Sequence, residues 1–189
     1  MFERLARRYR TPESVQAFVR RLTYNKKNTM RSALGVLKQG EAHCLESVFV
    51  AAAILERHGH PPLAMCLDSA DHVNHVIFIF RERGRWGAIG RSREPGLHGR
   101  APVFRSLRDL AWSYVDPYVD DTGGRLVGYS ISNLDDSGSP WRVAAGNVWK
   151  CERYVLGCKL RSLRASAARH RKSLREFLNG GHIPRDYWW

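Results

Sequence analysis

The chain has 189 residues, of which 43% are apolar, and a formal net charge of +13. That length supports one well-buried core and is short for two independent ones, and the charge, carried by far more arginine than lysine, favours anionic partners such as nucleic acid, anionic lipid or acidic protein. The segment Met1 to Arg10 is charged throughout and holds no apolar run of signal-peptide length, and no stretch can span a bilayer, so a cytoplasmic protein is expected.

In chain order, Thr11-Pro12-Glu13 predicts a helix start, with Thr11 as cap, Pro12 at the first helical position and Glu13 complementing the dipole. Val15, Phe18, Val19 and Leu22 then repeat at helical spacing. Tyr24 to Asn28 interrupts this pattern. Thr29 can cap a second helix with Met30, Leu34 and Leu37 on its apolar side, closed by Lys38-Gln39-Gly40. A third helix is predicted from around Ala42 to Cys44 through Glu56. Leu45, Val48, Phe49, Ala52 and Leu55 form one face, while Ala51 and Ala53 let other elements approach closely. Gly59 and His60-Pro61-Pro62 end it.

Leu63 to Leu67 is a short strand, followed by a turn at Asp68 to Asp71. His75 to Phe80 is apolar on both alternating faces, as a covered central strand should be. Arg81 to Arg85 is a hairpin connection, and Trp86 to Ile89 returns antiparallel. Arg91 to Arg100 reads as a loop, Ser106 starts a helix with Leu107, Leu110, Ala111 and Tyr114 on its apolar face, Asp120 to Gly124 is a turn, and Arg125 to Ile131 is a further strand. Helices first and a meandering antiparallel sheet second make an α+β fold, with a central Cys-bearing helix packed on the sheet. The composition shifts after residue 134, giving a main domain over 1–134 and a basic, mainly helical extension over 135–189. Lys150 to Arg175 in that extension can hold an anionic partner, either nucleic acid or acidic protein, with Tyr154 as a stacking group. A solvated basic helix accounts for the same residues. The terminal Asp186-Tyr187-Trp188-Trp189 either folds back onto the core or serves as a partner-binding tag.

The cysteines Cys44, Cys66, Cys151 and Cys158 lack the CxxC pairing of a zinc site and are expected as free thiols. Cys44 differs by its place at a helix start. There the dipole favours the thiolate, and a nearby imidazolium favours it further. His75 heads the clearest strand. Alternation puts it with Ile77 and Ile79, and if that face meets the helix its ring can reach Cys44. His72 falls in the preceding turn, and His43 adjoins Cys44 but points another way around the helix start. A thiolate with a histidine to carry protons can attack an amide or ester carbonyl.

The order of a cysteine-headed helix, a histidine-headed strand, a Gly-containing hairpin and a strand opening with Trp86 resembles the transglutaminase-like, papain-like cysteine superfamily over roughly Thr29 to Gly90. It also resembles bacterial transglutaminase-like proteins without a settled substrate. The resemblance implies a Cys-His-Asp triad that performs acyl transfer or amide hydrolysis through a thioester, with Cys44 as nucleophile, His75 as general base and acid, and a peptide or amide substrate. No metal or organic cofactor is called for. The family commonly places the aspartate four residues after the tryptophan, where this chain has Gly90. Ser92, Glu94, Asn74 and Asp71 are the neighbours able to substitute as third member, and without one the chain is either a Cys-His dyad or an inactive binding module with a basic surface. The oxyanion site would combine the backbone N–H of Cys44 with a second donor, for which Gln39, five residues upstream, is the family-like choice.

Overall fold

The structure, a computed structural model, describes residues 1–119 and 124–180. Most of the predicted turn at 120–124, and the aromatic terminus at 186–189, lie outside these residues.

Helix α1 (Phe2–Arg8) forms where no element is predicted, because Phe2 and Ala6 lie one turn apart and are both buried. Helix α2 (Pro12–Arg20) starts as expected. The Thr11 hydroxyl accepts from Ser14 N and the Ser14 hydroxyl accepts from Thr11 N, and Val15 and Val19 are fully buried. Strand β1 (Thr23–Tyr24) follows, then α3 (Ala33–Gln39). The cap of α3 is Ser32 and not Thr29, since the Thr29 hydroxyl is committed to Glu46, 2.9 Å away. Gly40 closes α3 at φ 73°, a left-handed conformation that glycine adopts without steric cost. The chain then turns into β2 (Glu41–Ala42), which pairs in parallel with β1 and brings Tyr24 opposite Ala42.

Helix α4 (Cys44–Leu55) is buried from Leu45 to its end. From Val48 onward it is apolar all round because α1, α2 and α3 cover one side and the sheet covers the other. The strands β3 (Leu63–Ser69), β4 (His75–Glu82), β5 (Arg85–Ile89), β6 (Arg100–Phe104), β7 (Leu126–Asn133) and β8 (Arg161–Ser162) form one antiparallel sheet in the order β6-β5-β4-β3-β7-β8. Arg83 and Gly84 join β4 to β5, both at positive φ, the geometry that matches strand twist in a two-residue hairpin. Helix α5 (Leu107–Trp112), capped by Ser106 as predicted, packs on the face opposite α4. The fold is α+β, with a Cys-headed helix on an antiparallel sheet and both sheet faces covered.

The central strand corrects one expectation. Val76, Phe78 and Phe80 face the α4 side, whereas Ile77 and Ile79 pack with Leu110 and Ala111 of α5. His75 therefore shares the face turned away from α4, and it reaches Cys44 only because it stands at the strand's first residue. Beyond β7, Trp141, Val148 and two residues of α6 (Trp149–Leu156), Cys151 and Val155, are buried in the same core as α1 to α4. Arg142 stacks on Trp141 at 3.9 Å and pairs with Glu56 and Asp135. Helix α7 (Ala167–Leu178) buries only Ser173 and is tied down at Asp116, which accepts from Arg169 Nε at 2.7 Å and from Ser173 Oγ at 3.0 Å. No helix among the described residues is long and apolar enough to cross a membrane.

Candidate active site

Cys44 is the first residue of α4 and His75 the first of β4, so both stand at element ends that open on one cavity of about 320 Å³. Tyr24, Arg93, Asn74 and Tyr118 also line it. A second cavity of about 390 Å³ opens on Cys44 from the side of Lys26 to Met30 and shares Tyr24 and Arg93 with the first. The small β1–β2 pair explains Tyr24, whose register beside Ala42 sets the ring next to the start of α4.

His75 is 5% exposed and its ring has two partners. The thiol of Cys44 is one. The other is the backbone carbonyl of Leu97, 2.8 Å from Nε2. A carbonyl only accepts, so Nε2 carries a proton and Nδ1 is left to face the sulfur. A main-chain oxygen thus occupies the orienting position where an aspartate was expected. Gly90 makes room for it: a Cβ there would lie 2.9 Å from Ile77 Cγ2, 3.5 Å from the Leu97 oxygen and 3.6 Å from His75 Nε2. The buried Gln16 of α2 holds Gly90 in place, donating to its carbonyl at 3.1 Å and accepting from its N–H at 2.9 Å.

Three of the four neighbours proposed from sequence have other engagements. Ser92 Oγ accepts from Glu94 N at 3.1 Å, Asp71 Oδ1 accepts from Val73 N at 3.1 Å, and Asn74 Oδ1 accepts from Ser69 N at 3.0 Å. All three, with Glu94, line the cavity. Gln39 is in the exposed last turn of α3 and lines neither cavity at Cys44. His72 is exposed, as expected for a turn.

The structure corrects the expectation for one neighbouring histidine. His43, the N-cap of α4, hydrogen-bonds Cys44 instead of pointing away, and its Nε2 donates to the Thr29 carbonyl at 2.8 Å. Burial opposes a charge on His43, but Cys44, Glu46 and the Thr29 carbonyl outweigh it and raise its pKa to about 9. Burial likewise opposes the Cys44 thiolate, yet hydrogen bonds and charge from His43 and His75 hold the thiol well below the usual range. Cys66, on β3, shows the contrast, because burial pushes its thiol upward.

These opposite shifts fix the pH behaviour. His43 binds its proton more tightly folded than unfolded, so its contribution to stability is complete below about pH 6.5 and is lost as pH rises through about 9. Cys44 is the reverse: its contribution is present above the ordinary thiol range and is lost as pH falls through its depressed value. In His43→Gln, alkylation of Cys44 by iodoacetamide should slow at pH 7, and the gap from wild type should close above about pH 9, where His43 is already neutral. A constant gap across that range would show that the His43 charge is irrelevant to the thiol.

Beneath the pair lies Glu46, 0% exposed. Its carboxyl accepts from Asn25 Nδ2 at 2.8 Å, Thr29 Oγ1 at 2.9 Å, Arg31 N at 2.8 Å and His43 N at 3.1 Å. One side chain in the first turn of α4 therefore ties the 25–31 segment to the residue preceding Cys44.

Residues 150–175 are divided among α6, β8 and α7, where Arg169 pairs with Asp116 and Lys172 with Glu176. No cluster of three or more His, Cys, Asp or Glu among the described residues could hold a metal ion.

No family model matches the chain. Its sequence is similar to mouse tubulinyl-Tyr carboxypeptidase 1, at 28% identity over 127 residues that cover 56% of this chain and 33% of the mouse protein, so the likeness spans about a third of that relative's length and is to an enzyme that hydrolyses a peptide bond.

Proposed function

We propose that this chain is a cysteine peptidase of transglutaminase-like type that cleaves a peptide near its C-terminus through a thioester on Cys44. The observation that carries the reading is the line from Cys44 through the His75 ring to the Leu97 carbonyl. The thiolate attacks the scissile carbonyl, and the oxyanion forms at the N-terminus of α4, where the first-turn N–H groups have no helical partner. His75 protonates the departing amine. It then takes a proton from water, which hydrolyses the thioester and restores the thiolate. The Leu97 oxygen keeps the ring in the tautomer this cycle needs and stabilises the imidazolium.

The likeness to a protein named a carboxypeptidase supports the C-terminal preference. Such a substrate presents a free carboxylate, and Arg93, which lines both cavities at Cys44, is the cation suited to receive it. Peptides with a free carboxylate should lose their terminal residue while C-terminally amidated copies are spared, as read by mass spectrometry. Cys44→Ala should abolish release, and His75→Asn should slow it by roughly 10³-fold, within the range for general acid–base catalysis. Retained activity in Cys44→Ala would overturn the peptidase reading. Equal cleavage of amidated peptides would overturn the C-terminal preference alone.

A further inference from the structure

We propose that Arg100 is a positioning residue for the Cys44–His75 pair, acting by fixing the backbone carbonyl that orients His75. The proposal rests on the peptidase reading and identifies what holds that site in its working geometry.

Arg100 opens β6 and is 1% exposed, an expensive location for a guanidinium. Its donors are directed at main-chain oxygens. Nη2 donates to the Gly96 carbonyl at 2.7 Å, and Nη1 donates to those of His98 at 2.9 Å and Gly99 at 3.2 Å. Nε reaches Ser113 Oγ at 3.3 Å, at the end of α5. The guanidinium lies 4.0 Å from the centre of the buried Tyr114 ring, and the Tyr114 hydroxyl also donates to the His98 carbonyl, at 3.0 Å.

The pattern along the loop is specific. The carbonyls of residues 96, 98 and 99 turn to Arg100, and the carbonyl of residue 97 turns the other way, to His75. Peptide groups are planar, so pinning the planes on either side of the Leu97–His98 peptide leaves that plane little freedom to rotate. Leu97 is anchored as well, through its buried side chain and a hydrogen bond from its N–H to the Glu94 carbonyl at 3.0 Å. On the far side, a Cβ on Gly99 would come within 2.5 Å of the Ala88 carbonyl, so the loop is seated against β5. A planar fork that donates in several fixed directions suits this task, whereas the compact ammonium of lysine cannot span the same carbonyls.

The test uses the full chain with Arg100→Lys, Arg100→Met and Tyr114→Phe, the last removing one donor to His98 while keeping the ring. Cys44 alkylation by iodoacetamide is followed from pH 5 to 10 beside thermal unfolding. A mispositioned Leu97 carbonyl releases the His75 ring. The Arg100 variants should therefore show a profile displaced upward by about one pH unit, or about tenfold slower alkylation at pH 6, and Tyr114→Phe should move it less in the same direction. A lowered melting temperature with a profile that superimposes on wild type would make Arg100 purely structural and overturn the proposal. Should neither Arg100 variant fold, an unshifted Tyr114→Phe profile overturns it. An ordinary thiol profile in wild type would overturn the peptidase reading and this proposal together, whereas an activated wild-type thiol with unshifted variants overturns this proposal alone.

Discussion

Glu46→Ala will cost this protein roughly 3–5 kcal/mol of folding stability, because it removes the shared acceptor of four donors around a fully buried carboxyl. Four donors converge on the Glu46 carboxyl, two from side chains and two from the main chain. The two main-chain donors, Arg31 N and His43 N, cannot be trimmed to match, so alanine leaves them exposed to an apolar hole. Glu46→Gln keeps one acceptor oxygen but turns an amide N–H₂ against donors, and should fall between alanine and wild type. Urea unfolding checks this through the midpoint at constant slope. An unfolding free energy within about 1 kcal/mol of wild type for Glu46→Ala would mean that the segment 25–31 relaxes freely. The loss should extend to function, since His43 borders Cys44 and receives part of its placement from the same carboxyl.

Placing an aspartate at position 90, as the transglutaminase-like pattern has it, will not improve the site. Gly90→Asp should cut peptide release at least as severely as loss of the His75 partner, about 10³-fold or more. The reason is spatial: the new Cβ would stand 2.9 Å from Ile77 Cγ2, and the carboxylate beyond it would claim the volume now filled by the Leu97 oxygen. Gly90→Ala isolates the steric part and should cost about 1–3 kcal/mol, the usual range for overpacking a filled core. Comparing kcat for the two variants separates crowding from competition for the ring. Full activity in Gly90→Asp would mean that the loop gives way and that His75 accepts a carboxylate in place of the Leu97 oxygen.

Much of the scaffold was legible because its signals are local. The apolar run of α4 from Val48 to Leu55, the Gly40 stop before it and the two-faced apolar strand β4 follow from composition and spacing. Strand β6 was not legible, since Arg100 closes a stretch that reads as a loop, and Pro102 is tolerated in a strand only at an edge that nothing in the local sequence reveals. Thr29 misled for a different reason: a threonine before an apolar residue resembles a cap, and only the distant Glu46 outbids that use. At the candidate site, the meeting of His75 with Cys44 could be expected from position, but the second partner of His75 could not. Leu97 contributes an oxygen that every residue possesses, so its identity carries no signal for the role. His43 was misjudged because a side chain's direction at a helix start depends on how the preceding strand enters, and here β2 swings it back over the sulfur.

A peptide carbonyl does not titrate. An orienting carboxylate eventually takes up a proton in acid and lets go of its histidine, which adds a limb to an enzyme's rate profile; the Leu97 oxygen has no such limb to give. The group that orients His75 is thus indifferent to acid. It is equally out of reach of side-chain replacement: a scan that converts each loop residue to alanine would pass over position 97 without removing the group that matters, and would register its importance only at the residues that hold it still.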